Sequence, residues 1–112
     1  MASVKRFTVY LSDSDSLDIE IAVSKGHVSG FTVNYRALIG TTWHEVVRYD
    51  CAHGYLHLHR FWLPKDRQSR PLENPKNPLP PYDDALTRAE EDLADNWSAY
   101  RSKMEGRVHG HD

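Results

Sequence analysis

Apolar and polar residues alternate with a period of two in five runs between residues 4 and 63. Successive side chains of a β-strand point to opposite sides, so this alternation predicts strands with one buried face. Turn-like segments, DSDS, SKGH, GTT and CAHG, separate the runs. Residues 4–63 are therefore predicted to form an antiparallel, strongly twisted sheet of four to five strands.

The rest of the chain supplies a connector and a cover for this sheet. Residues 64–81 contain all six prolines, which predicts an extended connector. Residues 82–105 are predicted to form one helix, because apolar residues recur at spacings of three and four: Leu86, Ala89, Leu93, Trp97, Tyr100 and Met104. Residues 106–112 are predicted to be a polar tail. The predicted fold is α+β, a single domain over 1–112 with the C-terminal helix packed on one sheet face.

Charge and cysteine content limit the classes of function. The net charge is −2, so the chain has no global basic field for nucleic acid. Residues 1–70 carry nine basic against seven acidic residues, and residues 71–112 carry five against nine. A nucleic-acid ligand would therefore bind the first part. Cys51 is the only cysteine, so no internal disulfide forms. Without a long apolar run or a signal peptide, the sequence predicts a cytoplasmic protein with no membrane partner.

Titratable residues crowd into the stretch RYDCAHGYLHLHR, residues 48–60. A four-residue hairpin loop at 51–54, closed by a left-handed Gly54, would pair Asp50 with Tyr55, Arg48 with His57, Val46 with His59 and His44 with Phe61. Directly opposed residues share a face. The prediction therefore places these side chains on the sheet face away from the helix: His44, Arg48, Asp50, His57 and His59, beside Thr32, Asn34 and Arg36. The helix side would take Trp43, Val47, Tyr49, Leu56, Leu58 and Trp62.

Three chemistries suit this polar group. The spacing His57-x-His59 allows two imidazoles to converge on a divalent metal, which Asp50 or His53 would complete. Without a metal, one histidine would accept a proton and the other donate one during phosphodiester cleavage, while Arg48 or Arg36 stabilises the phosphate. The same arginines would also bind an anion without turnover. The candidate catalytic residues are His57, His59, Arg48, Asp50 and His53, and the candidate substrate-binding residues are Arg36, His44 and Tyr55.

The run Arg48-Tyr49-Asp50-Cys51-Ala52-His53-Gly54, followed by His57-Leu58-His59, is similar to signatures of small bacterial and archaeal proteins. It resembles TumE-type toxins of toxin–antitoxin pairs, which have asparagine at the position of Cys51 and a longer gap before H-x-H. It also resembles an uncharacterised family with an earlier F-x-V-x-Y, matched here by residues 31–35. The resemblance covers about residues 28–60.

The toxin resemblance implies interference with growth by acting on RNA, together with a cognate antitoxin protein. The predicted function is therefore that of a toxin-like small protein that acts on RNA as a ribonuclease. The alternative is a non-catalytic binding module that uses the same polar face for a metal, an anionic ligand or a protein partner. A homodimer through the bare sheet face or an edge strand is a further hypothesis, because unpaired strand edges readily accept another strand.

Overall fold

The computed structural model describes residues 2–51 and 54–110. Six antiparallel strands form one sheet in sequence order, and one long helix follows them. The predicted α+β class is confirmed, with one strand more than expected. The elements are β1 (Ala2–Ser12), β2 (Asp15–Ser24), β3 (His27–Ile39), β4 (Thr42–Asp50), β5 (His57–Arg60), β6 (Ser69–Pro71) and α1 (Asp83–His109).

The helix covers one face of the central strands. The Trp97 ring packs edge-on against Tyr35 of β3, and the Tyr49 hydroxyl of β4 donates to Asp92 at 2.6 Å. The predicted apolar stripe lines this contact, with four of its members buried: Leu86, Ala89, Leu93 and Met104. The helix runs through Gly106 to His109, so residues 106–109 of the predicted tail are helical. Basic residues in this last turn favour the helix because they oppose its dipole.

The proline-rich connector contributes the sixth strand, which the alternation pattern did not predict. β6 has only three residues and ends at Pro71, so it carries no period-two signature. Beyond it, the Leu72 N–H donates to the Leu56 carbonyl at 3.0 Å. The Glu73 carboxylate accepts from the Leu56 N–H at 2.7 Å and from the Tyr82 hydroxyl at 2.6 Å. The two bonds to Leu56 fasten the connector to the loop between β4 and β5, and the bond from Tyr82 fastens it to the start of α1.

The β4–β5 register differs from the predicted one by two residues. Asp50 pairs with His57 and Arg48 pairs with His59, so residues 51–56 form a six-residue connection. The predicted four-residue loop is wrong because the Leu56 backbone bonds to the connector rather than to β4. Gly54 does have a positive φ of 86°. A register shift of two residues leaves every side chain on the same face of the sheet, so the predicted face of His57 and His59 is correct.

A β-bulge in β4 overturns part of the predicted face assignment. Tyr35 pairs with Val47 and the next residue of β3 pairs with Glu45, so Val46 is extra. An extra residue reverses the alternation on one side of the bulge. His44 therefore pairs with the buried Ala37 on the helix side, and Trp43 lies on the opposite side. The predictions for both residues are wrong, because alternation alone cannot reveal a bulge.

A buried ion pair ties the end of the helix to the sheet. Asp15 is 2% exposed and contacts Arg101 Nη1 at 2.9 Å. The Tyr35 hydroxyl also donates to Asp15, and Arg101 Nη2 donates to the Leu38 carbonyl at 2.7 Å. Burial, and then the neighbouring Asp15, raise the pKa of Tyr35, so its hydroxyl stays a donor at neutral pH. Within the described ranges, α1 is too polar to cross a membrane, and no other helix is long enough.

Candidate functional site

Two neighbouring rows of polar residues cross the sheet on the side away from α1, and we call this side the polar face. One row runs from β1 to β5 through Arg6, Glu20, Thr32, Asp50 and His57. The other runs through Thr8, Asp18, Asn34, Arg48 and His59. Opposed residues in antiparallel strands share a face, so pairing alone brings the predicted site residues together at the β4–β5 end.

Asp50, His57 and His59 form a compact cluster at that end. One donor atom from each residue lies within 4.8 Å of the other two. Asp50 and His57 are buried at 8% and 4% exposure, which is unusual for side chains on an open sheet face. The two imidazole rings meet at a centroid distance of 4.7 Å. Carboxylate and imidazole are both common zinc ligands, so this is a candidate metal site.

The backbone fixes the tautomer of His57. Its Nδ1 lies 3.2 Å from the Tyr55 carbonyl oxygen. A carbonyl oxygen only accepts, so Nδ1 must donate, and in the neutral ring the lone pair then lies on Nε2. Metal-ligating histidines typically donate their second ring nitrogen to a backbone carbonyl or a carboxylate in this way.

His59 holds a buried ring nitrogen without a hydrogen bond. Among the described residues nothing bonds its Nε2, although this atom is shielded from solvent. Asn34 Oδ1, in the same row, is also buried without a hydrogen-bond partner. Burial, followed by the positive charge of Arg48, lowers the pKa of His59. This shift favours the neutral ring, which is the form that binds metal.

Arg48 contacts both Asp50 of the cluster and a second carboxylate, Glu45. Its Nε is 3.2 Å from Asp50 Oδ2, and its Nη1 is 3.0 Å from Glu45 Oε1. Phe61 supports this arrangement, since its ring stacks on His59 and lies 5.4 Å below the Arg48 guanidinium. Glu45 and Phe61 were not predicted as site residues. The repeat His57-x-His59-x-Phe61 does indicate three rings on one face, whereas Glu45 reaches the polar face only through the bulge.

Not all of the other predicted site residues lie beside the cluster. The Tyr55 ring lies 5.2 Å from the His57 ring, so Tyr55 belongs to the site. His44 lies on the helix side, so its predicted role in this site is wrong. His53 lies outside the described residues. Cys51, which is not among the predicted site residues, is half-buried, and burial raises the pKa of its thiol to about 11, which disfavours nucleophilic chemistry there.

Arg36 lies on the polar face but in a separate groove. It contacts Asp18 at 3.6 Å and lies 5.8 Å from the centre of the Trp43 ring. This aromatic groove, of about 210 Å³, is lined by Thr8, Tyr10, Ser16, Asp18, Arg36 and Trp43. A second groove, of about 260 Å³, opens beside the histidine cluster and is lined by Asp50, Cys51 and Thr32 among others.

A family model described as "Domain of unknown function (DUF7718)" matches residues 1–109. The chain belongs to this family. No curated protein and no solved structure gives a significant match. The family description assigns no chemistry.

Proposed function

We propose that the protein binds a divalent transition metal, zinc in the first instance, at Asp50, His57 and His59, and uses it to hydrolyse phosphodiester bonds of single-stranded RNA. One observation carries the proposal: three donor atoms lie within 4.8 Å of one another, and one of them belongs to a histidine with a buried, unbonded ring nitrogen. Ligands of tetrahedral zinc lie about 3.4 Å apart. Metal binding therefore requires the donor atoms to approach by up to about 1.4 Å.

The same geometry disfavours the metal-free acid–base mechanism. In that mechanism the phosphate must lie between two histidines, so that one can accept a proton and the other can donate one. The rings of His57 and His59 are already in contact at 4.7 Å, and His57 is almost fully buried. No phosphate fits between these rings. The two histidines are therefore better suited to binding one metal ion than to acid–base catalysis.

A metal held by three protein ligands keeps a position for water. Bound zinc lowers the pKa of that water to about 7, which produces a nucleophile at neutral pH. The water oxygen would attack phosphorus, the bond from phosphorus to the leaving oxygen would break, and the water proton would pass to that oxygen. Arg48, 3.2 Å from Asp50, is placed to orient a phosphate beside the metal.

The aromatic groove favours a single-stranded substrate. Trp43 is 36% exposed on the same face as the cluster, with the Arg36 guanidinium beside its ring. Unpaired bases stack on such rings, whereas bases in a duplex are already stacked. The resemblance to TumE-type toxins also favours RNA, and it implies an antitoxin protein as partner. Zinc binding without turnover is the alternative, and the activity assay distinguishes the two.

Titration of tag-free protein with zinc should give one equivalent bound, measured by calorimetry and elemental analysis. His59→Ala should weaken the affinity at least about 10–100-fold, since changes beyond the ligand shell already cost that much. His44→Ala is the matched control, because His44 lies on the opposite face, and it should bind zinc like the wild type. The metal site would be contradicted if the wild type does not bind zinc, or if His59→Ala and His44→Ala lose the same zinc affinity.

Trp43→Ala should raise KM for single-stranded RNA about 5- to 150-fold while kcat changes little. Stacking of one base contributes about 1–3 kcal/mol, and Trp43 is remote from the metal ligands. Leu79→Ala is the control, because Leu79 is 68% exposed in the connector. Steady-state kinetics on a labelled oligonucleotide provide the measurement. An unchanged KM in Trp43→Ala would remove the aromatic groove from the proposal.

A further inference from the structure

The two edges of the sheet are very different. One edge is β6, which has three residues and ends in Pro71, so it offers few backbone groups for pairing. The other edge is β1, which has eleven residues and contains neither proline nor glycine. Residues 2–10 of β1 are all exposed, including four large apolar or aromatic side chains: Val4 at 51%, Phe7 at 44%, Val9 at 40% and Tyr10 at 69%. Long, apolar, unpaired edges of this kind favour the addition of another strand.

We propose that β1 pairs antiparallel with β1 of a second copy, which joins two sheets into one of twelve strands. The two-fold axis passes through Phe7, because Phe7 is the midpoint of β1 and this register pairs all eleven residues. The same patch then meets itself, as closed two-fold symmetry requires. This inference is independent of the proposed metal site.

This register places compatible side chains of the two copies opposite each other. Phe7 meets Phe7 of the second copy, and Val4 meets Tyr10, so apolar side chains cover one another. Lys5 falls opposite Val9, and its aliphatic stem would cover that residue while the ammonium reaches solvent. No like charges become directly opposed, which is the arrangement that would destabilise a strand pair.

The charges on the polar face also favour a second copy as the occupant. Arg6 forms an ion pair with Glu20 of its own chain at 2.5 Å. In this register Arg6 falls opposite Thr8 of the second copy, whose hydroxyl bonds Asp18 at 2.9 Å. Each Arg6 would therefore lie between an acidic residue of its own chain and one of the second copy. Two-fold symmetry forms this arrangement twice.

Sedimentation of the full chain at about 50 µM should give the mass of two chains. Phe7→Lys should weaken the dimer at least about tenfold, because it replaces an aromatic pair with opposed like charges on the axis. Leu79→Lys introduces the same charge at an exposed apolar residue of the connector and should leave the dimer intact. A wild type that is monomeric at this concentration overturns the proposal, as does a dimer unaffected by Phe7→Lys.

Cysteine cross-linking tests the register. In a Cys51→Ser background, Phe7→Cys should form an intermolecular disulfide under mild oxidation, because strand partners on the axis lie about 4.5–5.5 Å apart at Cα. Val9→Cys should not cross-link, since its two copies would be offset by four residues, about 14 Å. Cross-linking through Val9→Cys but not Phe7→Cys overturns this register.

Discussion

Replacing His59 with alanine should lower the rate of RNA cleavage by the zinc-loaded protein at least about 100-fold. The substitution removes a metal ligand, and losing even an outer partner of a metal site costs about 10–100-fold. The fold should survive, because His59 is half-buried near the end of the sheet and its Nε2 makes no hydrogen bond to the described residues. Single-turnover cleavage of a labelled single strand measures the rate, and circular dichroism checks the fold.

His44→Ala is again the matched control and should cleave at the wild-type rate. Expression without a cognate antitoxin should slow growth, and His59→Ala should relieve that effect. If the wild type binds zinc but leaves single-stranded RNA intact, hydrolysis is wrong and the protein is a metal-binding module. Equal activity of the wild type and His59→Ala would show that the reaction occurs elsewhere.

Replacing Arg101 with methionine should lower the free energy of unfolding by about 3–5 kcal/mol. Asp15 is 2% exposed, so the substitution leaves a carboxylate buried without its cation. Arg101 also donates to the carbonyls of Ser14 and Leu38, and those acceptors would lose a partner. Chemical denaturation monitored by tryptophan fluorescence provides the measurement.

Two further variants distinguish the effect of the buried charge on the free energy of unfolding from other effects of the substitution. Adding Asp15→Asn to Arg101→Met should recover part of the stability, because the uncompensated charge is removed. Arg36→Met is the surface control, since Arg36 and Asp18 form a 3.6 Å pair whose side chains are about 40% exposed. Such pairs contribute at most about 1 kcal/mol. An Arg101→Met variant that loses less than about 1 kcal/mol would contradict the assigned role of the buried pair.

The face of His57 and His59 was predictable from local pattern, whereas their pairing partners were not. Leu58 must face the core, so His57 and His59 must face away from it, whatever strand lies beside them. The opposite residues depend on loop length, and here the connector sets that length by bonding the Leu56 backbone through Glu73. The two-residue slip replaces the predicted partner of His57, Arg48, with Asp50. It therefore places a carboxylate beside the two imidazoles.

Burial at the site also depended on tertiary packing. Nothing in the alternation indicates that His57 would be 4% exposed on the face opposite the helix. Tyr55 and His59 pack against its ring, and Phe61 stacks on His59. Burial then lowers the pKa of His59, so the chemistry of the cluster follows from packing rather than from residue type alone.

The sequence by itself determined the α+β class, the position of the helix and the polar side of the sheet, because periods of two and 3.6 are local properties of strands and helices. Only the tertiary structure decided that Val46 is a bulge, that Trp43 joins the polar face and that His44 leaves it. It also decided that residues 69–71 form a strand. Bulges and short edge strands depend on hydrogen bonds between residues distant in the chain, and such bonds leave no periodic trace in the sequence.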